Sequence, residues 1–155
     1  FFFFHDPLPV QVGIFFSYPQ DDFPFVEIVT RMFDANEPLE YIHKLDEESS
    51  QPGYVVFDND QGTLFHKTFY NSPLFDEFKM IYKKWIKQVI APMFKRDLGE
   101  DKIIYQKSPT FRISLPNNVA VGQKHCDADY NHPEGEINFW VPLTETFGSN
   151  GFYLE

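Results

Sequence analysis

Apolar side chains in the first part of the chain recur every three to four positions, which is the spacing of one face of an α-helix. The first such stripe follows Asp21 and Asp22, which are candidate helix caps. Its apolar members are Phe25, Ile28, Val29, Met32 and Phe33. Pro38 can open a second, short helix, because proline fits the first helical position. That helix would bury Leu39, Ile42 and Leu45.

The longest stripe follows Ser72, a good N-cap, and Pro73, which suits the first helical position. Its apolar members are Leu74, Phe75, Phe78, Ile81, Tyr82, Trp85, Ile86, Val89 and Ile90. Acidic residues come early in this stretch and lysines come later, which complements the helix dipole. Pro92 is expected to end or kink the helix near Ile90, because proline has no backbone N–H. We expect the stripe to support a sheet rather than to form a functional groove.

After Gly99 the apolar positions alternate with polar ones, which predicts strands. The predicted strands cover residues 103–105, 110–115, 123–127 and 137–143, one begins at 152, and an earlier short one covers 54–57. Several short strands separated by Pro, Asn and Gly favour an antiparallel sandwich or barrel. No repeat or linker is evident, so the sequence predicts one α+β domain over residues 1–155. Helical support would occupy about 1–98 and packed strands about 102–155.

Composition and charge narrow the possible partners. Aromatic residues make up 19% of the chain, including 19 Phe, which favours a large sheet-rich core. A formal net charge of −10 argues against nucleic acid as a partner, because phosphate backbones repel an acidic protein. No apolar run approaches the roughly 20 residues that a membrane helix needs. The single Cys126 excludes an internal disulfide and suits a reducing, cytoplasmic location. No oligomeric state is predicted.

The candidate chemistry lies at His125 and Asp127. On a strand, residues two apart face the same side, so both side chains can reach one metal ion while Cys126 points away. One imidazole and one carboxylate are two of the three ligands of the facial triad that holds non-haem iron(II). A His-X-Asp pair is common by chance, so the pair alone is weak evidence for a metal site. The surrounding sequence has to support that interpretation.

Those surroundings are a turn at residues 133–136 and the apolar run Asn138-Phe139-Trp140-Val141-Pro142-Leu143, with Pro109-Thr110-Phe111-Arg112-Ile113-Ser114-Leu115-Pro116-Asn117-Asn118 upstream. Together with the His-X-Asp pair, they resemble the iron(II)/2-oxoglutarate-dependent oxygenase superfamily. The resemblance is closest to its phytanoyl-CoA-hydroxylase-like branch and to oxygenases of antibiotic-sugar biosynthesis. It covers about residues 105–155.

The resemblance implies a double-stranded β-helix, a form of jelly roll, with the helices packed on it. It implies that His125 and Asp127 are the first two iron(II) ligands, with 2-oxoglutarate as co-substrate, and that a small organic substrate is hydroxylated. The carboxylate of Asp127 favours hydroxylation, since family halogenases leave that position open for chloride. The family's second histidine and its Arg or Lys anchor lie several strands further on. The chain is therefore expected to be a fragment that lacks a complete site and is inactive alone.

Weaker candidates surround the pair. Asn138 could bind the carboxylate of the co-substrate, and the alternative is a hydrogen bond that fixes a loop. Arg112 could bind an anionic substrate or co-substrate, and the alternative is a surface ion pair. The residues expected to hydrogen-bond a metal ligand or to face the substrate are Asp129, Tyr130, His132 and Trp140. His132 as a third ligand is the less favoured alternative, and His43 and His66 are expected to be packed or surface residues.

Two other functions compete with the oxygenase. A jelly roll can also be a non-catalytic module that binds a small molecule or a sugar. An acidic calcium site is also possible, because calcium prefers oxygen ligands. Its ligands would be Asp127, Asp129, Glu134 and Glu136. Metal preference separates the three hypotheses: iron(II), cobalt or nickel through His125 supports the first, calcium the third, and no metal the second.

Overall fold

The computed structural model describes residues 2–4, 15–119 and 136–151. Contacts divide the chain into two compact units, one of Phe1–Ser17 with Gly122–Glu155 and one of Tyr18–Val121. The boundary predicted between helical support and strands lies inside the second unit. The prediction that the chain is a single domain stays a prediction.

Helix α1 of the larger unit spans Phe25–Met32 and confirms the first predicted stripe. Its buried apolar residues are Phe25, Ile28, Val29 and Met32, and Phe33 beyond its end is also buried. The predicted caps are wrong. The helix begins after Pro24, and the backbone N–H of Asp22 bonds to the carbonyl of Pro19 in a preceding turn.

The segment after α1 is built from short 3₁₀ helices at Leu39–Leu45, Glu47–Ser50 and Phe57–Asn59. The first begins after Pro38 as predicted, and it buries Leu39 and Ile42 but leaves Leu45 exposed. The predicted strand at 54–57 is wrong. The N–H of Val55, which a ladder would have used, bonds to the side-chain oxygen of Asn118 at 2.9 Å.

Helix α2 spans Leu64–Asn71, and α3 begins at Phe75, three residues after the predicted cap Ser72. Helix α3, Phe75–Trp85, continues through a π-helical turn, Ile86–Ile90, into α4, Ala91–Leu98. Of the two predicted effects of Pro92, an end of the helix is wrong, and the irregular turn that reaches Ile90 agrees with the predicted disturbance at that residue. The N–H of Ala91 bonds five residues back to Ile86, and the proline follows directly, where the regular ladder is already interrupted. Gly99 ends the helix with φ +73°, a left-handed cap that favours glycine.

Aromatic side chains form the core of the larger unit. Trp85 packs edge-on against Phe25, with ring centroids 6.0 Å apart. Phe69 of α2 packs against Phe78 of α3 at 5.1 Å and stacks on Phe111 at 4.4 Å. Within this unit the long stripe thus packs on α1, α2 and an extended segment, whereas the sequence predicted a sheet. The periodicity shows which face is buried but not what covers it, so the contacts with α1 and α2 were not foreseen, and a contact with a sheet stays a prediction.

The strands predicted at 103–105 and 110–115 are wrong, since these described residues form no ladder. Side chains take the place of a neighbouring strand: the Tyr70 hydroxyl accepts from the N–H of Phe111 at 2.9 Å, and the Tyr82 hydroxyl donates to the carbonyl of Gln106 at 3.0 Å. The predicted alternation nevertheless holds, because Phe111 and Leu115 are buried and Arg112 between them is exposed.

The smaller unit contains a two-stranded antiparallel sheet of β1, Phe2–Phe4, and β2, Ile137–Phe139. Phe3 lies opposite Asn138 in the ladder. The strand predicted at 137–143 is therefore present but ends early, ahead of Pro142, which cannot donate to a ladder. The strands predicted at 123–127 and from 152 lie outside the described residues, and the jelly roll stays a prediction. Among the helices described, none has the length and apolar character needed to cross a membrane.

Candidate functional site

The predicted metal ligands His125 and Asp127 lie outside the described residues, as do Asp129, Tyr130 and His132. Residues 2–4, 15–119 and 136–151 contain no group of three or more His, Cys, Asp or Glu side chains placed to hold a metal ion. The metal pair stays a prediction that rests on the sequence pattern.

Asn138 and Trp140 are described, and they lie in and just after β2. Both are half-buried, and so are Ile137 and Phe139 beside them. Burial therefore does not separate a polar face from an apolar face here. The proposed role of Asn138 in binding a co-substrate carboxylate stays a prediction.

Arg112 lies in the extended segment, and its guanidinium Nη1 is 3.7 Å from the Oδ2 atom of Asp60. The Arg112 side chain is 44% exposed and that of Asp60 is 17% exposed. This geometry matches the alternative of an ion pair within the chain. An anionic ligand at Arg112 would have to compete with a carboxylate that is already in place.

His66 is a polar residue of the core, only 1% exposed, as its apolar neighbourhood predicted. The Thr63 hydroxyl caps α2 by accepting from the backbone N–H of His66, and it lies 2.8 Å from the imidazole Nδ1. We therefore assign the hydroxyl proton to this hydrogen bond, which leaves the ring proton on Nε2. The ring Nε2 makes no hydrogen bond of good geometry. The backbone of Phe111 nevertheless acts on the ring by raising its pKa, which favours the protonated form.

Burial lowers the pKa of His66 below its usual value, and the nearby Arg112 lowers it further, while Asp60 acts in the opposite direction. A folded state with a lowered histidine pKa binds fewer protons than the unfolded chain below about pH 6.5. Stability linked to this ring is therefore complete above about pH 6.5 and is lost as the pH falls toward the folded-state pKa.

We expect urea melts to show that the free energy of unfolding falls as the pH is lowered from about 7.5 to 5.5. In His66→Gln the part of this fall that comes from the histidine should be absent, because glutamine does not titrate. The slope of stability against pH is the readout, so a constant cost of the substitution does not affect the result. Asn71→Gln, at the exposed end of the same helix, is the control and should keep the slope, since neither side chain titrates. An unchanged slope in His66→Gln would show that other groups cause it.

Asn118 joins two distant segments, and the sequence prediction missed it. Its Oδ1 accepts from the Val55 N–H, and its Nδ2 donates to the carbonyls of Ser49 and Pro116, each at 2.9 Å. Asn117 adds a 3.1 Å bond from its Nδ2 to the Ser50 carbonyl, with φ +60°. The sequence did contain a signal for the turn, because two asparagines after a proline are typical of a turn with a left-handed residue. It contained none for the residues to which the asparagines bond.

A small cavity of about 260 Å³ opens at the start of α2. Its lining residues are Tyr54, Asn59, Gly62, Thr63, Leu64 and Lys67. The Tyr54 hydroxyl donates to Asp46 Oδ2 at 2.7 Å. Burial raises the pKa of Tyr54, and the hydrogen bond to Asp46 raises it further. The cavity contains none of the predicted site residues.

The chain is similar in sequence to a protein called Streptomycin biosynthesis protein StrG from Streptomyces griseus. The two sequences are 31% identical over 144 residues, which cover 89% of this chain and 62% of that protein. The chain thus spans about three fifths of the length of the relative it matches. No family model matches the chain. No solved structure matches it either.

Proposed function

We propose that this chain contributes part of the active site of an iron(II)- and 2-oxoglutarate-dependent oxygenase that hydroxylates a small organic substrate in a biosynthetic pathway. The observation that carries the proposal is His125-Cys126-Asp127 ahead of the apolar run at 138–143. The similarity to a protein named for streptomycin biosynthesis supports a biosynthetic enzyme. The oxygenase class rests on the sequence resemblance.

The donor set fits the proposed metal, because imidazole and carboxylate are ligands that iron(II) takes in facial triads. His125 would provide a neutral ring nitrogen and Asp127 a carboxylate oxygen, and together they would leave positions open for small ligands. When bound, the iron supplies the activation of oxygen together with 2-oxoglutarate. The protein's part is to hold the metal and to orient the co-substrate.

Asn138 is the better of the two candidates for orienting the co-substrate. Its side-chain amide can donate to a carboxylate, and it lies on the strand that the resemblance includes. Arg112 is the weaker candidate, because the Asp60 carboxylate already lies 3.7 Å from its guanidinium. A role for Arg112 in catalysis would require that ion pair to open.

Metal titration tests the proposal directly. We expect the 155-residue chain to bind cobalt(II), a spectroscopic substitute for iron(II), and to lose affinity by at least about tenfold in His125→Ala and in Asp127→Ala. His132→Ala is the matched control, since this histidine follows closely in the sequence and is not one of the two proposed ligands. The visible absorption bands of cobalt(II) change with its coordination, so they measure binding, and the comparison with His125→Ala identifies the histidine.

Wild-type chain that binds cobalt(II) no better than His125→Ala would overturn the proposed metal site. Calcium binding that needs Asp127 and not His125 would favour the acidic calcium site instead. Loss of cobalt binding in His132→Ala would mean that the third ligand lies within this chain. Succinate formation from 2-oxoglutarate by the whole protein, abolished by Asp127→Ala, would establish the oxygenase class.

A further inference from the structure

Basic residues of this acidic protein are concentrated on the long helix. The stretch from 79 to 96 contains six of the 13 Lys and Arg residues and no Asp or Glu. They are Lys79, Lys83, Lys84, Lys87, Lys95 and Arg96. Because the whole chain carries −10, the remainder is more acidic than the total suggests. Opposite charges are therefore segregated along the sequence rather than interspersed.

The helix dipole does not account for the central lysines. Helices α3 and α4 and the π turn between them run without a break from Phe75 to Leu98, so Lys83, Lys84 and Lys87 lie near the middle. A dipole acts on charges within the first or last turn only. Lysines four positions apart also repel each other along a helix, which weakens it. The helix dipole and pairing within the helix therefore do not explain these central lysines, and they leave a basic surface that an acidic partner could neutralise.

Some of these lysines already have partners. Lys79 pairs with Asp76 at 2.7 Å. Lys84 donates to the carbonyl of Asp22 at 3.0 Å, and its amine lies over the ring of Phe23. In contrast, no ion pair involves Lys83 or Lys87 among the residues that the structure describes, and both side chains are exposed.

An exposed apolar side chain lies beside these lysines. Met80 is 67% exposed and precedes Lys83 and Lys84 by one helical turn, so it shares their side of the helix. A methionine is flexible and adapts to the shape of an apolar contact. A nucleic-acid partner is disfavoured, because the rest of the chain would repel its phosphates. A protein surface offers both carboxylates and an apolar contact.

We propose that the basic face, formed by Met80, Lys83, Lys84 and Lys87, docks an acidic partner protein through a segment that presents one apolar residue flanked by carboxylates. The apolar residue contacts the Met80 thioether, and the carboxylates neutralise Lys83 and Lys87. Charge complementarity of this kind speeds association and fixes the orientation of the partner, and salt weakens it. This inference is independent of the proposed metal site.

The test uses a synthetic helical peptide with one leucine flanked by glutamates and a fluorescent label. We expect it to bind the 155-residue chain, and we expect Kd to rise by at least about tenfold when ionic strength rises from about 0.01 M to 1 M, because the Debye length falls from about 30 Å to 3 Å. The double variant Lys83→Glu/Lys87→Glu should raise Kd by at least about tenfold at low salt. Met80→Gln should raise it to a smaller extent.

The matched control is Lys67→Glu/Lys102→Glu, which changes the net charge equally at two exposed lysines outside the basic face. This variant should bind the glutamate peptide nearly as well as wild type, and a twin peptide with glutamine for glutamate should bind weakly to both. Equal losses in the two double variants would overturn the proposal, since only overall charge would matter. Tighter binding of duplex DNA than of the peptide would overturn the proposal in favour of nucleic acid. Self-association that Lys83→Glu/Lys87→Glu abolishes would overturn it in favour of a second copy of the chain.

Discussion

Replacing Trp85 with alanine is expected to lower the free energy of unfolding by about 3–5 kcal/mol, the cost of removing a large buried aromatic side chain. Trp85 is 2% exposed and packs against three rings of the larger unit. They belong to Tyr18, Phe25 and Tyr82, with centroids 5.9, 6.0 and 6.5 Å from that of the tryptophan. The cavity left by alanine would open where α1 packs against α3.

Chemical denaturation followed by far-UV circular dichroism measures this loss. Met80→Ala is the control on the same helix, and its exposed side chain should cost no more than about 0.5 kcal/mol. A loss below about 1 kcal/mol for Trp85→Ala would mean that the tryptophan is not held in the core. Similar losses for the two variants would mean that the burial of Trp85 does not set the cost, since alanine is the better helix former at both positions.

Replacing Asn118 with alanine is expected to cost about 2–4 kcal/mol, because three hydrogen bonds disappear together. The largest part comes from Val55, which is 2% exposed and whose N–H would remain buried without an acceptor. Asn118→Asp keeps an acceptor for Val55 but places a carboxylate oxygen beside the carbonyls of Ser49 and Pro116, so it should be destabilising as well.

Asn117→Gly is the matched control one residue away. It removes one exposed hydrogen bond and keeps the positive φ accessible, so about 1 kcal/mol or less should be lost. Denaturant melts of the three variants give the comparison. If Asn117→Gly were as damaging as Asn118→Ala, the conformation of the turn rather than the side-chain bonds of Asn118 would hold the two segments together.

Helices α1 and α3 of the larger unit could be predicted from sequence because their signals are local, whereas α2 and α4 were not predicted. The stripe of α1 marks the buried face directly, since residues three and four apart share one side of a helix. The alternation of apolar and polar residues that is typical of strands correctly predicted that Phe111 and Leu115 are buried. It did not show that these residues form no ladder with a neighbouring strand. Whether an extended segment joins a ladder depends on a neighbour that alternation does not specify.

The polar contacts of the larger unit could not be predicted because their partners are distant in sequence. Asn118 bonds to Val55 across 63 positions and to Ser49 across 69. The pairing of Arg112 was predicted in kind, as an ion pair, but nothing local identifies Asp60 as the partner. The metal pair is the reverse case. The spacing of two and the flanking motif that predict a site at His125 and Asp127 are local, and the site stays a prediction.

The π turn at Ile86–Ile90 makes the chain tolerant of a one-residue deletion at this point. Such a turn holds one residue more than a regular helix would need. Its wider winding absorbs the rotation of about 100° that one extra residue adds to a helix of 3.6 residues per turn. A deletion of one exposed residue there, such as Gln88, would restore an uninterrupted hydrogen-bond ladder and leave α4 on nearly the same side relative to α3. The same deletion within the regular part of α3 would turn every later side chain by about 100°, so it should cost far more stability.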